Sequence, residues 1–172
     1  MNFLGVVFTT LTFPGVMVRE AAHLFFVRWA RLAIFEVRFL SLKPPYGYVR
    51  HEPSPRFALA LVEVLGPFFV NSALCLLFCS TAYLPAFALQ IWDPLAWFFC
   101  WLGLSFGVQA FPAREELRHL WKLASRGGAL AVVAYPLLAL LMAVSALRPV
   151  GDRAFGLALG LLLPMLAFRL LV

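Results

Sequence analysis

An arginine, a glutamate and a histidine fall within five residues of one apolar stretch, Arg19-Glu20-Ala21-Ala22-His23. On a helix, Glu20 and His23 are three apart and share a face. With histidine at position 19 the stretch would read His-Glu-x-x-His. In that motif two imidazoles one turn apart hold zinc, and the glutamate between them activates a metal-bound water. Here the glutamate and the second histidine are present, and Arg19 stands in place of the first. A guanidinium stays protonated and has no lone pair to give a metal. At ~5 Å and an effective dielectric of about 20, its charge facing a dication costs on the order of 6 kcal/mol.

Two arrangements accommodate these residues. In the first, Arg19 pairs with Glu20, Glu63 or Glu116, and each buried charge compensates another within a helix bundle. In the second, a metal is kept. Glu116 and His119, three apart on one helix face, form a Glu-x-x-His ligand pair. With His23, and with His51 as a further candidate, they would make a displaced zinc site from which Arg19 turns away. Taken singly, His119 reads as a surface histidine near lipid head groups, and His51 as a residue that caps the hairpin or contacts its carboxylate neighbours. The four serines Ser41, Ser54, Ser105 and Ser125 have no local histidine–acid pattern, and no Gly-x-Ser-x-Gly or phosphate loop is present. Cys75, Cys79 and Cys100 sit inside apolar runs and read as small buried thiols. Without a Cys-x-x-Cys or paired framework they do not report a redox compartment.

The elements that position these groups belong in a bilayer. Of 172 residues, 63% are hydrophobic and 13% charged, against roughly half and a quarter in soluble domains. The mean hydropathy is +0.91. The 18 Phe and 5 Trp suit lipid-facing and interfacial surfaces. Residues 3–27 are apolar apart from Arg19, Glu20 and His23. They read either as a helix beginning near Pro14 and running to Arg31, or as one span kinked at Pro14. No basic n-region with a cleavage site precedes them, so no removable signal peptide is expected.

Residues 34–40 alternate partially, Lys43-Pro44-Pro45-Tyr46-Gly47 marks a turn, and residues 48–51 can pair back as a hairpin. Residues 57–83 form a second span with a kink expected at Gly66-Pro67. Residues 84–94 are expected as an outer loop, and 94–110 as a third span whose Gly103 and Gly107 allow close helix packing. Residues 113–126 place Leu117, Leu120, Trp121 and Ala124 opposite Arg114, Glu115, Arg118, Lys122 and Arg126, an interfacial amphipathic pattern. Two further spans, 129–147 and 154–171, follow.

The net charge of +6 reflects loops beside apolar runs, and no basic–aromatic platform for nucleic acid accompanies it. The loop 28–56 carries Arg28, Arg31, Arg38, Lys43, Arg50 and Arg56, whereas 84–94 carries no basic residue. By the positive-inside rule the hairpin and residues 113–127 are cytoplasmic and the N-terminus lies outside, in a plasma (inner) membrane.

Phe13-Pro14-Gly15 leading into Glu20-x-x-His23, then Gly47-Tyr48-Val49-x-His51-Glu52, Gly66-Pro67-x-x-x-Asn71 and Phe111-Pro112-x-x-x-Glu116-x-x-x-Leu120-Trp121 follow in order. Together these motifs resemble a family of small integral-membrane zinc peptidases related to site-2 proteases. The resemblance runs from residue 10 to residue 122. It implies Glu20 as general base and His23 as a zinc ligand. It also implies Glu116 at the position of an acidic third ligand, usually aspartate, and Asn71 as a residue that positions substrate or a hairpin. Arg19 and the longer Glu116 depart from the pattern, so the implied metal site is degenerate.

The sequence therefore predicts an all-α integral membrane bundle of about five transmembrane helices, with a small cytoplasmic β-hairpin and one amphipathic interfacial helix. It reads as a single membrane domain, 1–172, segmented as 1–31, 32–56, 57–83, 94–112, 113–127 and 128–172. Its partners are the lipid bilayer and a membrane protein or peptide, with no nucleic acid. The expected function is non-catalytic: binding a membrane peptide or partner in a cleft near Arg19, Glu63, Asn71 and His51, or serving as a subunit of a membrane complex. The alternative is an active membrane zinc metallopeptidase with rearranged ligands His23, Glu116 and His119, and Glu20 as base.

Overall fold

A computed structural model of the protein describes residues 3–41, 46–125, 128–146 and 150–171. It is mostly helical (78%), with one small two-stranded sheet. The elements in order are α1 (Phe3–Leu11), α2 (Phe13–Trp29), β1 (Ile34–Arg38), β2 (Tyr48–His51), α3 (Phe57–Tyr83), α4 (Pro94–Gln109), α5 (Arg114–Ala124), α6 (Gly128–Ala146), α7 (Val150–Leu157) and α8 (Leu163–Leu171). A π-helical turn, Leu84–Ala88, extends α3, and another, Ala158–Leu162, joins α7 to α8.

Among the described residues, three helical stretches are long and apolar enough to cross a membrane: Phe57–Ala88, Gly128–Ala146 and Arg153–Leu170. The pair α4 and α5, bent by 48°, makes a fourth if the two count as one broken span. The loop expected at 84–94 begins only after Ala88. Phe87 stacks on Tyr83 at 5.8 Å and meets Trp97 at 5.5 Å, so the apolar run continues to coil rather than turning away.

The first helical stretch breaks at Thr12, with Pro14 in the first turn of α2, where its missing N–H costs no helical hydrogen bond. Breaking a helix frees backbone groups that need other partners. One stripe of α4 satisfies them. Trp101 Nε1 donates to Leu11 O (3.0 Å), Ser105 Oγ donates to Thr12 O (2.9 Å), and Gln109 Nε2 donates to Thr12 Oγ1 (2.7 Å). Ser105 Oγ also accepts from Gly15 N at 2.9 Å. These three side chains are four residues apart in turn, so they line one face of α4. Gly15 is required at this contact, because a Cβ there would lie 1.9 Å from the Ser105 carbonyl oxygen.

α3 is the central helix and passes through Gly66-Pro67 without interruption. Cys75 and Cys79 on α3 face Gly107 and Gly103 on α4, where added Cβ atoms would come 2.6 and 2.5 Å from the two sulfurs. The small-residue spacing thus brings α3 and α4 together, with the buried thiols filling the glycine notches.

The apolar face of α5 is covered by protein. Leu117, Leu120 and Ala124 are buried with Phe57, Ala60 and Val64 of α3 and Ala131, Ala134, Leu138 and Leu141 of α6. Trp121 packs edge-on to Tyr135 at 5.1 Å. The segment expected to lie in the interface therefore buries its apolar stripe in the bundle, Glu115, Arg118 and Lys122 are exposed, and Arg114 reaches the end of α6.

The hairpin is antiparallel, with Ile34 opposite His51, Val37 opposite Val49 and Arg38 opposite Tyr48, and an irregularity between Ile34 and Glu36. Tyr48 OH donates to Glu36 Oε1 at 2.5 Å, which holds the phenol above its ordinary titration range. The turn expected at 43–47 falls largely outside the described residues, as do Arg126 and Arg148.

Candidate functional site

α2 supplies three charged or polar side chains from adjacent turns. Glu20 and His23 lie on its buried face with Val16 and Val27, and are 2% and 7% exposed. Arg19 points sideways and bridges two carboxylates. Its Nη1 lies 3.0 Å from Glu20 Oε1, and its Nη2 lies 3.0 and 3.1 Å from Glu116 Oε1 and Oε2. Glu116 sits in the first turn of α5, and its Oε2 also accepts from the Ala113 backbone N–H at 2.8 Å. A carboxylate here satisfies a helix N-terminal donor and lies at the positive end of the helix dipole.

The hairpin reaches the same region. A Cβ at Gly47 would come 2.8 Å from Glu20 Cγ, so the hairpin backbone passes directly against that side chain. His51, at the end of β2, directs Nε2 to Glu63 Oε1 on α3 at 3.0 Å and Nδ1 to Glu52 O at 2.8 Å. The hydrogen bond to Glu63 raises the His51 titration above the ordinary imidazole range, against the opposing effect of burial. Glu63 also accepts a short hydrogen bond on Oε2 from Ser54 Oγ. His23 Nε2 stands 3.8 Å from Glu63 Oε1, too far to hydrogen-bond, and is buried with no hydrogen-bond partner among the described residues.

Three of the expected residues therefore close into one group. His23, His51 and Glu63 offer ligand atoms all within 4.8 Å of one another, an arrangement able to hold a metal ion. Among the described residues, Glu116 and His119 are not part of that group: Glu116 is held by Arg19, and His119 is exposed on α5. The Arg19 guanidinium already supplies a cation to Glu20 and Glu116. That pairing leaves the carboxylates poorly suited to a second cation, so zinc held by His23 and Glu116 with Glu20 as base does not fit this arrangement.

Asn71 is fully buried. Its Nδ2 donates to Gly15 O at 3.3 Å, and its Oδ1 has no hydrogen-bond partner. It thus supports the start of α2 rather than joining the histidine group. An apolar groove of about 320 Å³ opens beside α3, lined by Phe26, Leu61, Val62, Leu65, Gly66, Phe69 and Val70. Arg19, His51, Glu63 and Asn71 do not line it.

Sequence reasoning placed Glu63 among cleft and ion-pair candidates and missed it as the acid shared by two histidines. It also missed Ser54 and the Trp101–Ser105–Gln109 stripe. The stripe's four-residue spacing was a readable signal, whereas the meeting of β2 with α2 and α3 was not.

No family model, curated protein or solved structure matches the chain. The motif resemblance rests on the residues alone.

Proposed function

We propose that this chain is an integral-membrane protein of about five spans whose peptidase-like constellation is degenerate and non-hydrolytic. It binds an apolar peptide segment or a membrane-protein partner, or serves as a subunit of a membrane complex. The carrying observation is the Arg19 bridge between Glu20 and Glu116. A glutamate committed to a guanidinium at 3.0 Å is a poor base for activating water. The apolar groove along α3 supports binding of an apolar segment. In this reading α1 and α2 make the first span. The basic loop containing the hairpin and the charged face of α5 lie on the cytoplasmic side of the plasma (inner) membrane.

The competing reading is an active membrane metallopeptidase. The two separate when the unmodified protein and Glu20→Gln are reconstituted in proteoliposomes with a set of transmembrane peptides. Equal background cleavage, together with a co-purifying partner retained after chelation, supports the proposed function. Cleavage that disappears in Glu20→Gln overturns it.

A further inference from the structure

We propose that His23, His51 and Glu63 bind one divalent transition-metal ion of the zinc class, which fastens the hairpin to α2 and α3. The three donors come from three separate elements, so an ion held by all of them joins β2 to both helices.

The separations suit a single ion. Zinc–ligand bonds of roughly 2.0–2.2 Å in a tetrahedron place neighbouring ligand atoms about 3.4 Å apart. Glu63 Oε1 lies 3.0 Å from His51 Nε2 and 3.8 Å from His23 Nε2, on either side of that value. Orientation agrees as well. His51 Nδ1 is committed to the Glu52 carbonyl, which in the neutral ring leaves the Nε2 lone pair facing Glu63. A lone pair and a carboxylate 3.0 Å apart need a cation between them, either a proton or a metal. A proton on His51 would leave the buried His23 Nε2 without a hydrogen bond among the described residues, as it stands in the structure. A metal engages all three groups.

Supporting contacts and charge also favour a dication. Ser54 holds the second oxygen of Glu63, and Glu52 O orients His51, the outer contacts that fix metal-binding side chains. Glu63 has no lysine or arginine ion pair among the described residues, so its charge is left to face a cation held with the two histidines. Two imidazoles and one carboxylate favour zinc, cobalt or nickel over magnesium or calcium, which prefer all-oxygen sites. Three protein ligands leave the fourth position to water.

The test is cobalt titration of the detergent-purified, chelator-stripped full chain, followed by its visible absorption. The expected result is one saturable equivalent that zinc displaces and millimolar magnesium does not. His51→Ala should weaken binding by more than the roughly 10–100-fold that a supporting residue contributes. His119→Ala should leave it unchanged. X-ray absorption at the zinc edge of the unmodified protein, which requires no variant to fold, should count two imidazoles. Hydrogen exchange across residues 46–55 should slow on zinc addition. Absence of a saturable equivalent, binding lost in His119→Ala but retained in His51→Ala, or a zinc ion with fewer than two imidazoles would each overturn the proposal.

Discussion

Arg19 grips Glu116 with one guanidinium nitrogen, Nη2 lying 3.0 Å from Oε1 and 3.1 Å from Oε2, across 97 residues of chain. The same guanidinium holds Glu20 through Nη1. α2 is thereby tied to the first turn of α5, and a glutamate that is 2% exposed obtains its counter-charge.

Removing Arg19 should be costly for that reason. Breaking a buried pair by deleting one partner costs about 3–5 kcal/mol. Arg19 and Glu116 are 20% and 26% exposed, and water will reduce the loss toward the lower end. Arg19→Ala should therefore lower the melting temperature in detergent, and the double variant Arg19→Ala/Glu20→Gln should recover part of it. An unchanged melting temperature in Arg19→Ala would show that the ion pair contributes no stability.

Ser105 serves two backbone groups at the α1–α2 break, accepting from Gly15 N and donating to Thr12 O. Ser105→Ala leaves both without that partner in buried surroundings. Gly15 N and Thr12 O keep their bond to each other at 3.1 Å, so the expected loss is about 0.5–1.5 kcal/mol, that of an ordinary hydrogen bond. Hydrogen exchange should rise selectively at the start of α2, and equal exchange in both proteins would count against this role.

Two glycine contacts should respond differently to compensation. Gly66→Ala places a methyl 2.3 Å from the Phe26 ring, a side chain that can be shortened. Overpacking costs about 1–3 kcal/mol, and Phe26→Leu should relieve much of it, giving a favourable coupling in a double-mutant cycle. Gly15→Ala meets a backbone carbonyl, so side-chain shortening offers no relief. Chemical denaturation of the four proteins measures this; equal loss in Gly66→Ala with and without Phe26→Leu would refute the contact.

Arg114 donates to Ser145 O at 2.9 and 2.7 Å and to Ala146 O at 2.9 Å, capping the last carbonyls of α6. Arg114→Ala should cost about 1–2 kcal/mol and speed exchange at the C-terminal turn of α6. Arg114→Lys should restore only part, since one ammonium cannot reproduce the fork.

Much of the fold was legible because long apolar runs constrain it strongly. The apolar lengths of α3 and α6, and the strand-like stretches that become β1 and β2, are local signals that tertiary packing had no reason to override. Arg19 announced a partner because a charge in an apolar run needs one, and Glu116 was among the acids weighed. Glu63 was less readable. Its meeting with His51 depends on how the hairpin folds back over α2 and α3, which no spacing within one element encodes. The same holds for α5: its amphipathic pattern fits a lipid surface and a helix bundle equally, and only the position of α6 decides between them.

The distance in sequence between Arg19 and Glu116 also sets an order of events. Chains are made from the N-terminus, and at 5–20 residues per second the acid follows the arginine by several seconds. Until then Arg19 has only Glu20 from this bridge, and a charged residue in an apolar segment inserts reluctantly. The docking of α2 against α5 must therefore wait until the start of α5 has been made, while α6, α7 and α8 are still to come.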